Sequence, residues 1–210
     1  MSNALTHRVL PAATLAALLS ACAPTLTLGG NPAGARLSVA QPGGTVSAGT
    51  LTLSSPQFAN GGRIANEQSA NVFGCTGGNV SPTLTWSGAP AGTQSFALTM
   101  YDPDAPTGSG FWHWIVYNIP ATATSLSLGA GAASGTALPA GTRQGAGDAG
   151  TVGYLGPCPS VGDPPHRYVF TLYALNRTLD IPANSAPAIV GFNLDGSTIA
   201  RTTLTGFFGR

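Results

Sequence analysis

The sequence predicts a mostly β domain of short strands and many turns, with a small number of short helices. Three observations predict it. The chain carries 29 glycines and 17 prolines in 210 residues, a load that interrupts helices and supplies turns. Short alternating runs recur, and two longer runs, 111–119 and 167–175, are rich in Val, Ile, Phe and Tyr, which suit a pleated, half-buried surface. Helical periodicity, by contrast, surfaces convincingly only near the C-terminus.

Composition bounds the rest. With 43% hydrophobic residues the chain fills one core, or one core and a tail. Only 7% of residues are charged, there is no lysine, and the formal charge is +1. The eight basic residues are single, scattered arginines, which offers no nucleic-acid face and no polybasic membrane patch.

Taken in order, residues 1–21 have the pattern of a lipoprotein-type signal peptide. His7 and Arg8 precede an apolar run, 9–19, too short to span a bilayer. It ends in Leu19-Ser20-Ala21-Cys22, which resembles a bacterial lipobox and makes Cys22 the expected lipidation site. The expected location is therefore the bacterial cell envelope, with the lipid anchor as the membrane contact. The alternative is ordinary cleavage near Ala21-Cys22-Ala23 and a periplasmic or secreted soluble protein, although Pro24 suits that cleavage poorly. Residues 22–50 are dominated by small and polar side chains that cannot bury enough apolar area to offset their ordering entropy. They read as a flexible tether, and 51–210 as a single domain of about 160 residues.

Within that domain, 51–53 and 83–86 alternate, and 95–101 is a β-rich run bounded by the Gly88-to-Gly92 turn and by Pro103. Residues 111–119 and 167–175 are long enough to cross a sheet as central strands, and 202–208 forms a last strand. The helix candidate is 187–200, with Pro187 in its first turn and Asn184 or Ser185 near its cap. Gly191 and Gly196 weaken its interior by about 1 kcal/mol each against Ala, so two short turns are the alternative.

Two polar stretches concentrate the scarce chemistry. The first, Y-D-P-D-A-P-T-G-S-G-F-W-H-W at 101–114, sets Asp102 and Asp104 between prolines that stiffen the backbone, then places His113 in an aromatic strand. The second, G-P-C-P-S-V-G-D-P-P-H-R-Y at 156–168, is a Gly/Pro loop that delivers His166, Arg167 and Tyr168 to the start of a core strand. Two stiff loops, each leading to a histidine, predict one shared pocket.

These stretches resemble the phosphatidylethanolamine-binding protein family, also called Raf kinase inhibitor-like proteins, in its bacterial branch. The resemblance rests on D-P-D-A-P and W-H-W, on G-P-C-P and P-H-R-Y-V-F-T-L-Y-A-L, and on Asn60-Gly61-Gly62, Gly78-Asn79-Val80-Ser81-Pro82 and Gly209-Arg210. It covers nearly all of 51–210. It implies an antiparallel β-sandwich with an anion pocket at one end that takes phosphate, acetate-like anions and phospholipid headgroups. By position, it implies Asp102, His113, His166 and Tyr168 as ligand-binding residues, Gly156 and Pro157 as pocket wall, Asp104 and Arg167 in support, and a cis Ala105–Pro106 bond.

The same pocket has a physical rationale. Two histidines converging on an oxyanion supply charge-assisted hydrogen bonds, and a carboxylate behind one of them, assigned to Asp102, orients it and favours its protonated form. Binding is then expected to weaken as pH rises through histidine pKa values near or above about 6.5. Simpler roles compete: Asp104 and Asp102 can brace their own turn, either histidine can be a satisfied core residue, Arg167 can be a structural ion-pair partner, and Trp86, Trp112 and Trp114 can be core. Gly147 and Ala149 replace an Asn and an aromatic usual in the family's bacterial members, which predicts a looser loop and leaves ligand size open. With Cys22 lipidated, Cys75 and Cys158 are left as a pair that the resemblance places towards the pocket end. An oxidising compartment permits a disulfide between them, and two buried thiols are the alternative.

The leading expectation is a non-enzymatic binding module for a small anion or phospholipid headgroup, with no metal and no cofactor. A protease or kinase inhibitor acting on a protein partner through its surface is one alternative. A hydrolase using the His/Asp cluster is the other, though no G-x-S-x-G or H-E-x-x-H motif supplies a nucleophile or metal site.

Overall fold

The computed structural model describes residues 48–210; the signal peptide, Cys22 and nearly all of the tether lie outside the described residues. The order is β1 (Thr52–Ser54), β2 (Gly62–Arg63), a 3-10 turn (Asn66–Gln68), β3 (Leu84–Ser87), β4 (Ser95–Asp102), β5 (Phe111–Pro120), β6 (Ser125–Leu126), β7 (Arg143–Gln144), β8 (His166–Leu175), α1 (Pro187–Leu194) and β9 (Thr198–Phe208). They form two sheets, ordered β1-β3-β6 and β2-β9-β8-β4-β5-β7. Every neighbouring pair is antiparallel except β2 with β9, which is parallel. The fold is thus the expected mostly β sandwich, with one parallel pair at an edge.

Alternation decides which residues face the second sheet. Phe96, Leu98 and Met100 of β4 and Tyr168, Phe170, Leu172 and Ala174 of β8 join Leu84, Trp86 and Leu126 of the small sheet in one core. Each buried Leu, Phe or Met among them contributes roughly 1.5–3 kcal/mol. The opposite face of β4, β5 and β8 carries Ala97, Ile115, Tyr117 and Tyr173, and packs on Val190 and Leu194 of α1 and on Leu179 and Ile181. The centre of the large sheet is therefore buried on both faces, which explains why every residue of β4 is buried.

The helix is shorter than the sequence predicts. It ends at Leu194 because Gly196 takes φ 71° and because Thr198 already pairs with Leu175, so Ile199 and Ala200 belong to β9. Neither expected cap serves it. Ala186 occupies the cap without a side-chain bond, while the Ser185 hydroxyl donates to Pro182 O at 2.6 Å and the Asn184 N–H donates to Gln144 O at 3.1 Å.

The expected cis bond is also corrected: every peptide bond among the described residues is trans, Ala105–Pro106 included. Thr107 N–H donates to Ala105 O at 2.8 Å across Pro106, a tight turn for which the ring's φ near −65° is already suited.

Candidate binding pocket

Three inner-face rows of the large sheet run out at the same end of the sandwich. Asp102 follows Phe96, Leu98 and Met100 along β4, whose register against β8 is unbroken from Ser95 to Tyr101. His166 and Tyr168 precede Phe170 on the inner face of β8. His113 arrives differently. Met100 and Tyr101 pair with Trp114 and Trp112, so β5 carries one extra residue there, and that residue is His113. Such a bulge re-aims a side chain that strict alternation would hold in place. It lets Trp114 face the core and Trp112 the outer layer with the histidine between them.

The result is a cavity of about 330 Å³ lined by Asp102, His113, Gly156, His166 and Tyr168 among others. The two histidines predicted from separate loops therefore share one hollow. Pro157 does not line it; it is buried, and its carbonyl accepts the Ala70 N–H at 3.0 Å. The wall is made instead by Leu155, Cys158, Pro159 and Ser160, with Phe73, Phe111 and the Ala105-Pro106-Thr107 turn around the mouth. No lysine or arginine is among the lining residues.

Hydrogen bonds define what each polar group offers. His166 Nδ1 lies 2.8 Å from Asp102 Oδ2, and the carboxylate's other oxygen accepts the Asp104 N–H at 2.8 Å. Asp102 thus both braces its turn and orients His166 as a proton-bearing Nδ1. His113 Nδ1 lies 2.9 Å from Leu155 O, while Leu155 N–H donates back to His113 O at 3.1 Å. A carbonyl can only accept, so Nδ1 carries the proton and Nε2 of the neutral ring is an acceptor. Burial pushes the His113 pKa below its ordinary 6.5, outweighing the opposing pull of Leu155 O and of Asp102. The expectation of two imidazolium donors near neutral pH is corrected accordingly: His113 has no carboxylate partner in hydrogen-bond contact, and desolvation keeps it uncharged.

Tyr168 is fully buried, and its hydroxyl makes no hydrogen bond of good geometry, although the Asp102 carboxylate is close enough to act on it. Burial, then the nearby Asp102 charge, drives its pKa upward, so it remains a neutral donor. Its ring meets that of His113 edge-on at 5.2 Å. Gly156 closes the wall: its N–H donates to Asn79 Oδ1 at 2.8 Å, and a Cβ there would lie 2.2 Å from Gln68 O. Only glycine fits.

Asp104 and Arg167 stand outside the lining and hold each other. Arg167 Nε and Nη2 donate to the two Asp104 oxygens at 2.9 and 2.6 Å, and this guanidinium holds the Asp104 carboxyl below its usual pKa. The pair is largely exposed and contributes at most about 1 kcal/mol. Asp163, not singled out from the sequence, sits 3.6 Å from His166 Nε2; its position three residues before the histidine was the available signal. Phe73 was also missed, since nothing local to Val72-Phe73-Gly74 signals a pocket mouth. The loop that carries Gly147 and Ala149 is tied rather than loose, because Asp148 N–H donates to Trp112 O and Asp148 Oδ2 accepts Trp112 N–H, at 3.0 and 2.9 Å. A Cβ on Gly147 would lie 2.7 Å from Trp112 O, and small Ala149 lines the cavity. Cys75 and Cys158 form a disulfide, with Cys158 in the lining.

The family model for phosphatidylethanolamine-binding protein matches residues 54–209. The chain belongs to that family. Among its relatives, the UPF0098 protein YbcL of Escherichia coli is 48% identical over 159 residues, covering 75% of this chain and 87% of that protein. The candidate lipoprotein LppC of Mycobacterium tuberculosis is 37% identical over 158 residues, covering 75% and 72%. The crystal structure of E. coli YbcL, described as a member of the mammalian family, superposes with a TM-score of 0.75 at 46% identity, covering 77% of this chain and 99% of that one. This family member thus shares the sandwich and carries the His/Asp/Tyr cavity at its end. Among its described residues no helix is long and apolar enough to cross a membrane.

Proposed function

We propose that this phosphatidylethanolamine-binding protein family member is a non-enzymatic binding module whose cavity takes an oxyanion, phosphate or carboxylate, on a small organic group. The Tyr168 hydroxyl carries the reading: a fully buried donor with no well-formed hydrogen bond, only the nearby Asp102 carboxylate, costs up to roughly 1–3 kcal/mol, which an acceptor on a ligand would recover. His166, oriented by Asp102, supplies a second polar contact. Recognition runs through hydrogen bonds rather than through a cationic clamp, because the lining residues carry no arginine or lysine. His113, as an acceptor, suits a ligand oxygen that still bears its proton. The apolar wall of Phe111, Leu155 and Pro159 suits the organic substituent. The cysteine in the lining is held in the disulfide and is not a nucleophile.

Heat stabilisation by phosphate and phosphoethanolamine tests the reading. Both are expected to raise Tm of the wild type and to lose that effect in His166→Ala. Tyr168→Phe is the sharper variant: it removes a buried hydroxyl that has no well-formed hydrogen bond, so the ligand-free protein should lose little stability while affinity drops roughly ten-fold. Undiminished affinity in Tyr168→Phe would remove the hydroxyl from recognition.

The domain works at the cell envelope, tethered through Cys22. The L-S-A-C sequence at 19–22 and the relationship to a candidate lipoprotein support this. Labelled palmitate should enter the wild type and be absent from Cys22→Ser, which should partition with soluble proteins; equal labelling of both would discard the anchor.

A further inference from the structure

The loops that form the outer lip of the cavity are fastened by Arg210, a residue of the closing Gly209-Arg210 pair to which the sequence assigned no part in the site. Phe73 comes from one loop, and Cys158, Pro159 and Ser160 from the other. Arg210, following β9, donates from Nε to Pro159 O at 2.5 Å and from Nη1 to Gly74 O at 2.9 Å. These carbonyls belong to the neighbours of Cys158 and Cys75, so the guanidinium bridges the same two loops as the disulfide, one residue after Cys158 and one residue before Cys75. The bases of the loops are joined by Ala70 N–H to Pro157 O and by Gly156 N–H to Asn79 Oδ1, but at their tips a single covalent link leaves room to pivot about it. A second link beside it removes that freedom.

Phe73 gives the clamp something to hold. It is 68% exposed and adopts φ 55°, a left-handed conformation that a bulky residue keeps only where its surroundings enforce it. Cys75 N–H donates to Val72 O at 3.0 Å; the ends of this loop are tied to the opposite wall by Ala70 N–H to Pro157 O and by Asn79 with Gly156 and Tyr154, and between those ends the disulfide and Arg210 hold residues 74 and 75. The polar floor is secured separately: Asp102, His166 and Tyr168 by β4 and β8, and His113 by Leu155.

We infer that Arg210 is a positioning residue for the mouth of this pocket, holding the Phe73 and Pro159 loops as the wall against which the ligand's organic group packs. The inference rests on the binding reading above and adds that discrimination among oxyanions by their substituent depends on a side chain that need not touch the ligand. A guanidinium suits the task because its donors are fixed in a plane and reach two carbonyls from separate nitrogens.

The test compares inorganic phosphate with phenyl phosphate, titrated into the wild type and Arg210→Ala and followed by the imidazole signals of His113 and His166. Inorganic phosphate engages only the floor, so its affinity should change less than about two-fold, whereas phenyl phosphate should weaken roughly ten-fold as its ring loses an ordered apolar wall. A merely destabilised protein would lose both together, and an unchanged ratio overturns the positioning role. Amide exchange supplies a readout that needs no ligand. The 72–78 and 158–162 segments should exchange faster in Arg210→Ala while β4, β5 and β8 do not, and unaltered exchange in the two loops overturns the clamp. Should the wild type bind neither phosphate, the binding reading fails and takes the positioning role with it, and exchange still decides whether Arg210 fastens the loops.

Discussion

His113 was legible as a site candidate, but its charge state was not, because that depends on what surrounds the ring. Its Nδ1 faces a backbone carbonyl rather than a carboxylate, and burial lowers its pKa from 6.5. The unfolded chain takes up this proton near 6.5, so the stabilisation from a neutral ring is fully present above that pH. It is lost as pH falls through the lower folded pKa. His113→Asn, which keeps a donor for Leu155 O, should show a flatter fall in unfolding free energy below pH 6.5 than the wild type, measured by denaturant titration at a series of pH values. Parallel profiles would mean that the folded protein does not suppress the charge. Asp104 differs in kind: its partner Arg167 follows a histidine that the sequence already marked, yet nothing local indicated that the two would form a bidentate pair from loops 63 residues apart.

At the level of elements, strand existence followed from composition and alternation, while strand ends and partners followed from contacts. The bulge at His113 shows why: its presence is visible only in the pairing of β5 with β4, since a run of aromatic residues reads the same with or without an extra residue. β9 is similar. Its first three residues, 198–200, read as helix in isolation and become strand because the edge of β8 offers them a ladder. Within β9, Gly206 pairs with Tyr168 and Gly62, and a Cβ there would lie 2.5 Å from the Ile64 side chain and 3.0 Å from Phe58. Gly206→Ala should therefore overpack the inter-sheet core and cost about 1–3 kcal/mol, seen as a lower denaturation midpoint at unchanged slope. A midpoint equal to the wild type would show that Ile64 and Phe58 have room to yield.

Over the whole molecule, the Cys75–Cys158 bridge joins the loop after the 3-10 turn to the loop before β8 across 83 residues. Constraining the unfolded chain over such a loop contributes about 4 kcal/mol in the chain-entropy treatment, as an upper figure. The Cys75→Ser/Cys158→Ser protein should melt well below the oxidised wild type, and reducing the wild type with a dithiol should bring the two Tm values together; coincident melting without reductant would show that the link adds nothing. By itself the sequence determined the mostly β class, the order of the main strands and the two stretches that supply Asp102, His113, His166 and Tyr168, because alternation, turn residues and scarce polar groups are local properties written along the chain. Only the tertiary structure decided that β5 bulges at His113, that Asp102 serves His166 and not His113, that the Tyr168 hydroxyl is buried with no well-formed hydrogen bond, and that Arg210 reaches back to the pocket's lip. Those outcomes depend on which groups meet across long sequence separations and on how much water is left around them, and neither is encoded in any short window of residues.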